Sequence, residues 1–345
     1  MDELRLLAKQ FFKLFAVVIV LVGIGFILLL IYESKPEQYI PIISKEPLAE
    51  STPWKPKDAV SELSSMPVKI KKGYFLIAET SKFMGPNAEN PEDRYSGNNL
   101  ACANCHLQKG AQAGSGSWVG IIERFPQFGG RGNKIGTIED RINGCMERSM
   151  NGKMLPVESD KMEAIVAYMK WLGEGLPENR KAEFKGYPQI QIPNVAVDLE
   201  KGNQVYKKEC VICHGKNGVG ILSADGKSYT YPPLWGPDSF NDGAGMNRVI
   251  TSAEFIKSNM PYLQATWDNP KLTDEEAYHV AGYINSFSRP HKANTENDYP
   301  DKKLKPVSTP YGPWVDEFSP EQHKYGPFPP IMDYYTKEYG ITKKK

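Results

Sequence analysis

Charged residues are absent from Leu14 to Ile31, a run long enough to cross a hydrocarbon core of ~30 Å as one helix. It exceeds the roughly 7 to 15 apolar residues of a signal-peptide core, and Tyr32, Glu33 and Ser34 follow it with no small-residue cleavage site. An uncleaved membrane anchor over residues 1–33 is therefore favoured over an export signal. Arg5, Lys9 and Lys13 precede the run, so the positive-inside rule puts the short amino end in the cytoplasm and everything after Tyr32 outside. Residues 34–67 are rich in Pro, Lys, Glu and Ser without sustained period and read as a linker. Beyond it, helical periodicity appears in two copies of one plan. A short amphipathic helix at Gly73 to Thr80 is answered by a closing helix at Ser159 to Leu172, and one at Gly202 to Glu209 by Thr273 to Phe287. Both closing helices start with Ser or Thr followed by acids, a sound N-terminal cap.

The rest of the composition narrows the class. Among 345 residues, 42 Lys+Arg against 41 Asp+Glu leave a net charge of +1, which fits neither a nucleic-acid binder nor a disordered polyampholyte. Thirty Gly and 27 Pro point to many turns, and the length suggests two modest domains plus extra segments. The expected architecture is all-α: a first domain over 68–186, a second over 187–290, and an extended, aromatic and Pro-rich carboxyl-terminal arm over 291–345 with no clear period.

The five cysteines carry the chemistry. Cys102-Ala-Asn-Cys105-His106 and Cys210-Val-Ile-Cys213-His214 are both C-x-x-C-H. Two thiols at that spacing can bond covalently to the two vinyl groups of one haem, and the adjacent imidazole then reaches the iron. The motifs start 108 positions apart, while Tyr168 and Tyr283 on the closing helices are 115 apart, so the copies are nearly in register. A disulfide or zinc site built from the four cysteines leaves His106 and His214 unexplained. The chain thus resembles class I c-type cytochromes and is expected to hold two covalently bound haem c groups, attached outside the membrane as the topology requires.

A six-coordinate iron needs a second ligand. In the second domain Met260, 46 residues after His214, is the first candidate, with Met246 and Lys257 as competitors. In the first, Met154 lies 48 residues after His106, and its rival is Cys145, the one cysteine outside the two motifs. Spacing alone leaves these alternatives open. The surrounding stretch, from Phe128-Gly-Gly-Arg131-Gly to Gly144-Cys145-Met-Glu-Arg148-Ser149-Met-Asn-Gly152, resembles the thiosulfate dehydrogenases. So do Pro232-Pro-Leu-Trp-Gly-Pro237 and the tail Glu321-Gln-His-Lys-Tyr-Gly-Pro327.

The resemblance implies that Cys145 is the thiolate ligand of the first haem, that Arg131 and Arg141 hold substrate, and that Ser149 and Gly152 or their neighbours line the pocket. Arg148 is a third, weaker candidate. The implied reaction joins two thiosulfate ions into tetrathionate, with electrons passing from haem 1 to haem 2 and on to an acceptor cytochrome or membrane oxidase. Thiosulfate is a dianion, so fixed arginines suit the task of bringing two together, although neutralising haem propionates is an equally ordinary use for them. Some relatives carry Lys directly before the loop Met where this chain has Asn259, which puts a lysine-ligated second haem in doubt. The alternative function is a plain dihaem electron carrier with no substrate. Membrane attachment, a periplasm-facing soluble part and no nucleic-acid partner complete the expectation.

Overall fold

The computed structural model describes residues 2–33, 54–343 and 345. They fall into two units, Met1–Pro53 and Trp54–Lys345. The first holds α1 (Asp2–Glu33), whose Arg5–Leu30 stretch has no buried side chains and is long and apolar enough to cross a membrane. Much of the predicted linker, residues 34–53, lies outside the described residues.

The second unit begins with α2 (Val68–Ala78) and a single turn, α3 (Thr80–Phe83). A hairpin follows, β1 (Gln127–Gly129) against β2 (Lys134–Gly136), antiparallel with Phe128 opposite Ile135. Next come α4 (Ile138–Arg148) and α5 (Asp160–Leu172), then α6 (Leu199–Glu209) and the turn α7 (Val211–His214). A small hairpin, β3 (Ile221–Leu222) with β4 (Tyr229–Tyr231), precedes α8 (Val249–Asn259) and α9 (Asp274–Ser286). The arm carries α10 (Pro320–Tyr325) and α11 (Pro329–Tyr339). Apart from the two hairpins the architecture is helical, as expected.

The two copies are built alike at atomic detail. Where α2 crosses α5, a Cβ added to Gly73 would sit 2.1 Å from the Ala164 carbonyl and 2.8 Å from Cβ of Tyr168. Where α6 crosses α9, one added to Gly202 would sit 2.3 Å from the His279 carbonyl and 2.6 Å from Cβ of Tyr283. Only glycine lets the opening and closing helices approach so closely, and Tyr168 and Tyr283 occupy the same place in each crossing. Each crossing has its own core. One gathers Ile77, Met84, Trp118, Ile165, Tyr168 and Leu172, the other Tyr206, Trp235, Ile250, Tyr278 and Val280.

Two segments do more than the sequence suggested. The linker expected over 34–67 is a packed part of the first module from Trp54 onward: Trp54 meets Phe184 edge-on, and Ala59 and Met66 are buried in that core. Apart from single 3-10 turns at Thr295–Asn297 and Lys302–Leu304 the arm is irregular as far as Phe318 and then turns into helices, with Phe328, Ile331 and Tyr335 fully buried in the second core. His323, in the tail motif, is structural. It is buried, stacked on Trp314, and bonded to Asp316, which also accepts from the Tyr335 hydroxyl at 2.7 Å.

Candidate active site

The first C-x-x-C-H motif opens onto an apolar cleft. Cys102, Cys105 and His106 share its wall with Ile77, Leu100, Trp118, Ile121, Ile142, Ile165 and Met169, around a volume of about 340 Å³. The His106 ring is aimed by its Nδ1 contact with the Gly116 carbonyl at 2.8 Å, leaving Nε2 for a metal. Burial pulls its pKa down to about 4, so the imidazole is neutral at neutral pH, as a metal ligand must be. Burial also pushes the thiols of Cys102 and Cys105 up, to about 11 and about 12. His214 repeats the arrangement, buried, with Nδ1 on the Pro232 carbonyl at 2.8 Å. Among the described residues no three His, Cys, Asp or Glu side chains gather as a zinc site would, and the two cysteine pairs belong to separate modules. An apolar slot with two thiols and one oriented imidazole fits a haem c.

Cys145 lines this cleft and a larger neighbouring cavity of about 850 Å³. Helix α4 places it there. Thr137 caps the helix, accepting from the Asp140 backbone N–H while Asp140 accepts from that of Thr137, and Ile138, Ile142 and Met146 are buried against the core. The adjoining stripe of the helix then presents Arg141, Cys145 and Ser149, spaced four apart and so aligned along one side. Arg141 Nη1 donates to Cys145 Sγ at 2.9 Å. The nearby Cys145 sulfur holds this guanidinium firmly charged.

Met154, the competing ligand, is more than half exposed, at the margin of the larger cavity. The cause is local: Asn143 exchanges hydrogen bonds of 2.9 and 2.8 Å with the Leu155 backbone, and Leu155 takes the buried position instead. Gly152 lines neither cavity. A Cβ there would lie 1.9 Å from the Tyr95 carbonyl, so this glycine serves a close backbone approach.

Arg131 sits in the turn between β1 and β2 and lines the larger cavity, but it is not free. Its guanidinium pairs with Asp298 of the arm and donates to the Tyr311 hydroxyl at 2.9 Å and the Gly243 carbonyl at 3.2 Å. Arg148 Nη2 shares the same carboxylate at 2.8 Å. Burial opposes the charge on Arg131, yet Tyr299, Tyr311 and Asp298 together push its pKa up.

In the second module Met260 caps the carboxyl end of α8 and packs against the second core, whereas Lys257 is paired with Asp274. Met246 lines both cavities on the side of the first motif. Asn259 is fully buried and fully used: its Nδ2 donates to the carbonyls of Gly114 and Phe255 at 2.9 and 3.0 Å, and its Oδ1 accepts from Gln112 at 2.9 Å.

Sequence reasoning missed Tyr187, Arg248, Thr251, Asp298 and Tyr299, all of which line the larger cavity. One signal was available. Arg248 holds the N-cap position of α8, where Ser, Thr, Asp or Asn is usual, and no side chain caps that helix.

A helical module closing on a C-x-x-C-H motif, present twice, defines a c-type cytochrome. Residues 92–177 match the family described as SoxA/TsdA, cytochrome c domain, and residues 197–284 match cytochrome C oxidase, cbb3-type, subunit III. The chain is 36% identical over 235 residues to a thiosulfate dehydrogenase of Stutzerimonas stutzeri, covering 68% of this chain and 70% of the relative. It is 42% identical over 200 residues to one from Allochromatium vinosum, covering 57% and 72%. Among solved structures, the thiosulfate dehydrogenase TsdBA of Marichromatium purpuratum superposes with a TM-score of 0.60 at 32% identity over 70% of this chain; the chain spans 50% of that protein's length. The chain belongs to the thiosulfate dehydrogenase family.

Proposed function

We propose that the protein oxidises two thiosulfate ions to tetrathionate on the periplasmic side of the membrane that α1 enters, with a haem c in each module. The observation that carries this reading is the aligned row Arg141, Cys145 and Ser149, which puts a thiol under a guanidinium at 2.9 Å on a wall shared with Cys102, Cys105 and His106. An electron carrier needs no such thiol beside an arginine-lined cavity.

The half-reaction is 2 S2O3(2−) → S4O6(2−) + 2 e−. Two dianions ~6 Å apart at an effective dielectric of ~20 repel by roughly 11 kcal/mol, so fixed positive charge has to be in place before their sulfurs can bond. Arg141 and Ser149 hold the sulfonate of the first thiosulfate beside Cys145. Arg131, tied to Asp298 and Tyr311, adds charge from the facing loop without being free to swing. The Cys145 thiolate forms an S–S bond to the outer sulfur of this thiosulfate, with loss of two electrons. The second thiosulfate attacks that same sulfur, the bond to Cys145 breaks, and tetrathionate leaves with the thiolate restored.

Cys102, Cys105 and His106 would hold one haem c, with Cys145 on the wall of the same cleft, and that group together with the one in the second module would take up the two electrons of the first step, one each. Cys210, Cys213, His214 and Met260 would hold the second group, from which electrons reach an acceptor cytochrome or membrane oxidase. Anchoring by α1 would keep the donor close to such an acceptor.

The test is steady-state turnover of the haem-loaded full chain in detergent, following thiosulfate loss and tetrathionate formation, for wild type and Cys145→Met. The expected result is a variant that keeps both haems, shows an altered spectrum at the first, and loses activity by several orders of magnitude. Absence of turnover in either direction for wild type, with a first-haem spectrum indifferent to the substitution, overturns the reading in favour of an electron carrier.

A further inference from the structure

We propose that Arg248 and Thr251, at the amino end of α8 in the second module, form the half of the substrate site that holds the second sulfonate. The inference rests on the thiosulfate reading above and adds to it a residue pair from the other module. Five basic residues line the larger cavity: Arg131, Lys134, Arg141, Arg148 and Arg248. Three have carboxylate partners, Arg131 and Arg148 on Asp298 and Lys134 on Asp140. That leaves Arg141 and Arg248 without one among the described residues. Arg141 stands on α4 beside Cys145, and Arg248 enters the same cavity from the other module. The reaction has two dianions to place, and the cavity offers, from each module, one guanidinium without a carboxylate partner among the described residues.

The end of α8 is prepared for an anion in a second, independent way. Thr251 lines the cavity, is 6% exposed, and its hydroxyl has no hydrogen-bond partner. A buried hydroxyl left unpaired destabilises the fold, and a ligand oxygen would relieve that cost. It sits in the first turn of an eleven-residue helix with no side chain capping its backbone N–H groups, and such a terminus carries partial positive charge. Arg248 itself makes only a 3.4 Å contact with the Gly245 carbonyl. Burial and the nearby charges of Arg131 and Arg141 disfavour its charged form, which an anion in the cavity would offset.

The experiment uses the oxidised, haem-loaded full chain and tetrathionate, a product that occupies both halves without reducing the protein. Calorimetry gives its affinity, turnover gives kcat and KM for thiosulfate, and voltammetry gives the haem potentials. Arg248→Gln should weaken tetrathionate binding at least tenfold and raise KM for thiosulfate by a similar factor, leaving the haem potentials in place; Arg248→Lys should recover part of both. Thr251→Val should weaken binding several-fold, and Thr251→Ser should not. Unchanged tetrathionate affinity in Arg248→Gln with a shifted haem potential would make Arg248 a propionate partner and overturn the proposal alone. A wild-type protein that neither binds tetrathionate nor turns over thiosulfate overturns the functional reading and this proposal together.

Discussion

Replacing Asp298 by Asn keeps the shape of the side chain and removes the charge that faces both Arg131 and Arg148. The carboxylate is 9% exposed, Arg148 15% and Arg131 26%, and the Tyr311 hydroxyl donates to the same group at 2.7 Å. Breaking a buried pair from one side costs about 3 to 5 kcal/mol, because a charge is stranded rather than because the pair was strong. With Arg131 a quarter exposed, the lower end applies, ~3 kcal/mol. Unfolding of a unit of roughly 290 residues carries an entropy of ~0.6 kcal/mol/K, so Tm should fall by ~5 °C. Calorimetry of the haem-loaded chain at neutral pH measures this. Adding Arg148→Met to Asp298→Asn takes away one stranded charge and should restore about half of the loss.

The same pair predicts a pH signature. Burial raises the Asp298 pKa, but Arg131, Tyr311 and Arg148 outweigh it and leave the group below its ordinary 3.8. Its stabilisation is therefore complete above 3.8 and lost as pH falls through the depressed value, so wild type and Asp298→Asn should converge in acid. A Tm change under ~1 °C at neutral pH, or a difference that stays constant into acid, would refute the reasoning.

Two further outcomes follow from packing and burial. Gly202→Ala puts a methyl group 2.3 Å from the His279 carbonyl at the α6/α9 crossing and should destabilise by about 1 to 3 kcal/mol, measured by denaturant unfolding. Lys305, buried with its ammonium on the carbonyls of Tyr311 and Pro313, has its pKa pulled down to about 8 by desolvation. The unfolded chain then holds a proton that the folded one has released between about 8 and 10.5, so this lysine's penalty on folding is full below 8 and disappears above 10.5. Thermal melts across that window should rise more steeply for wild type than for Lys305→Met, and parallel curves would rule the effect out.

The helical copies and both haem motifs were legible because they are local: C-x-x-C-H is read within five residues, and a capped amphipathic helix within fifteen. The row Arg141, Cys145 and Ser149 was equally open to reading, since a spacing of four on a helix defines a face. The far wall was not. Arg248, Thr251 and Asp298 come from segments more than a hundred residues beyond Cys145, and no periodicity marks a residue that meets its partners only across a module boundary. The arm hid its helices for a different reason. In α11 the buried positions are Ile331 and Tyr335, a single interval of four behind two prolines, too short to show a period. Trp54, Ala59 and Met66 were likewise masked by the Pro and Lys around them.

Asn259 has one more consequence. It grips Gly114 and Gln112, in the loop whose Gly116 carbonyl aims His106, and the next residue along the chain is Met260. The repeated modules have thus ceased to be interchangeable parts. A chimera that grafts the second module from another cytochrome would have to bring a partner for this loop or recut the loop itself. The two halves are expected to show strong epistasis at this seam and to diversify as one inherited block.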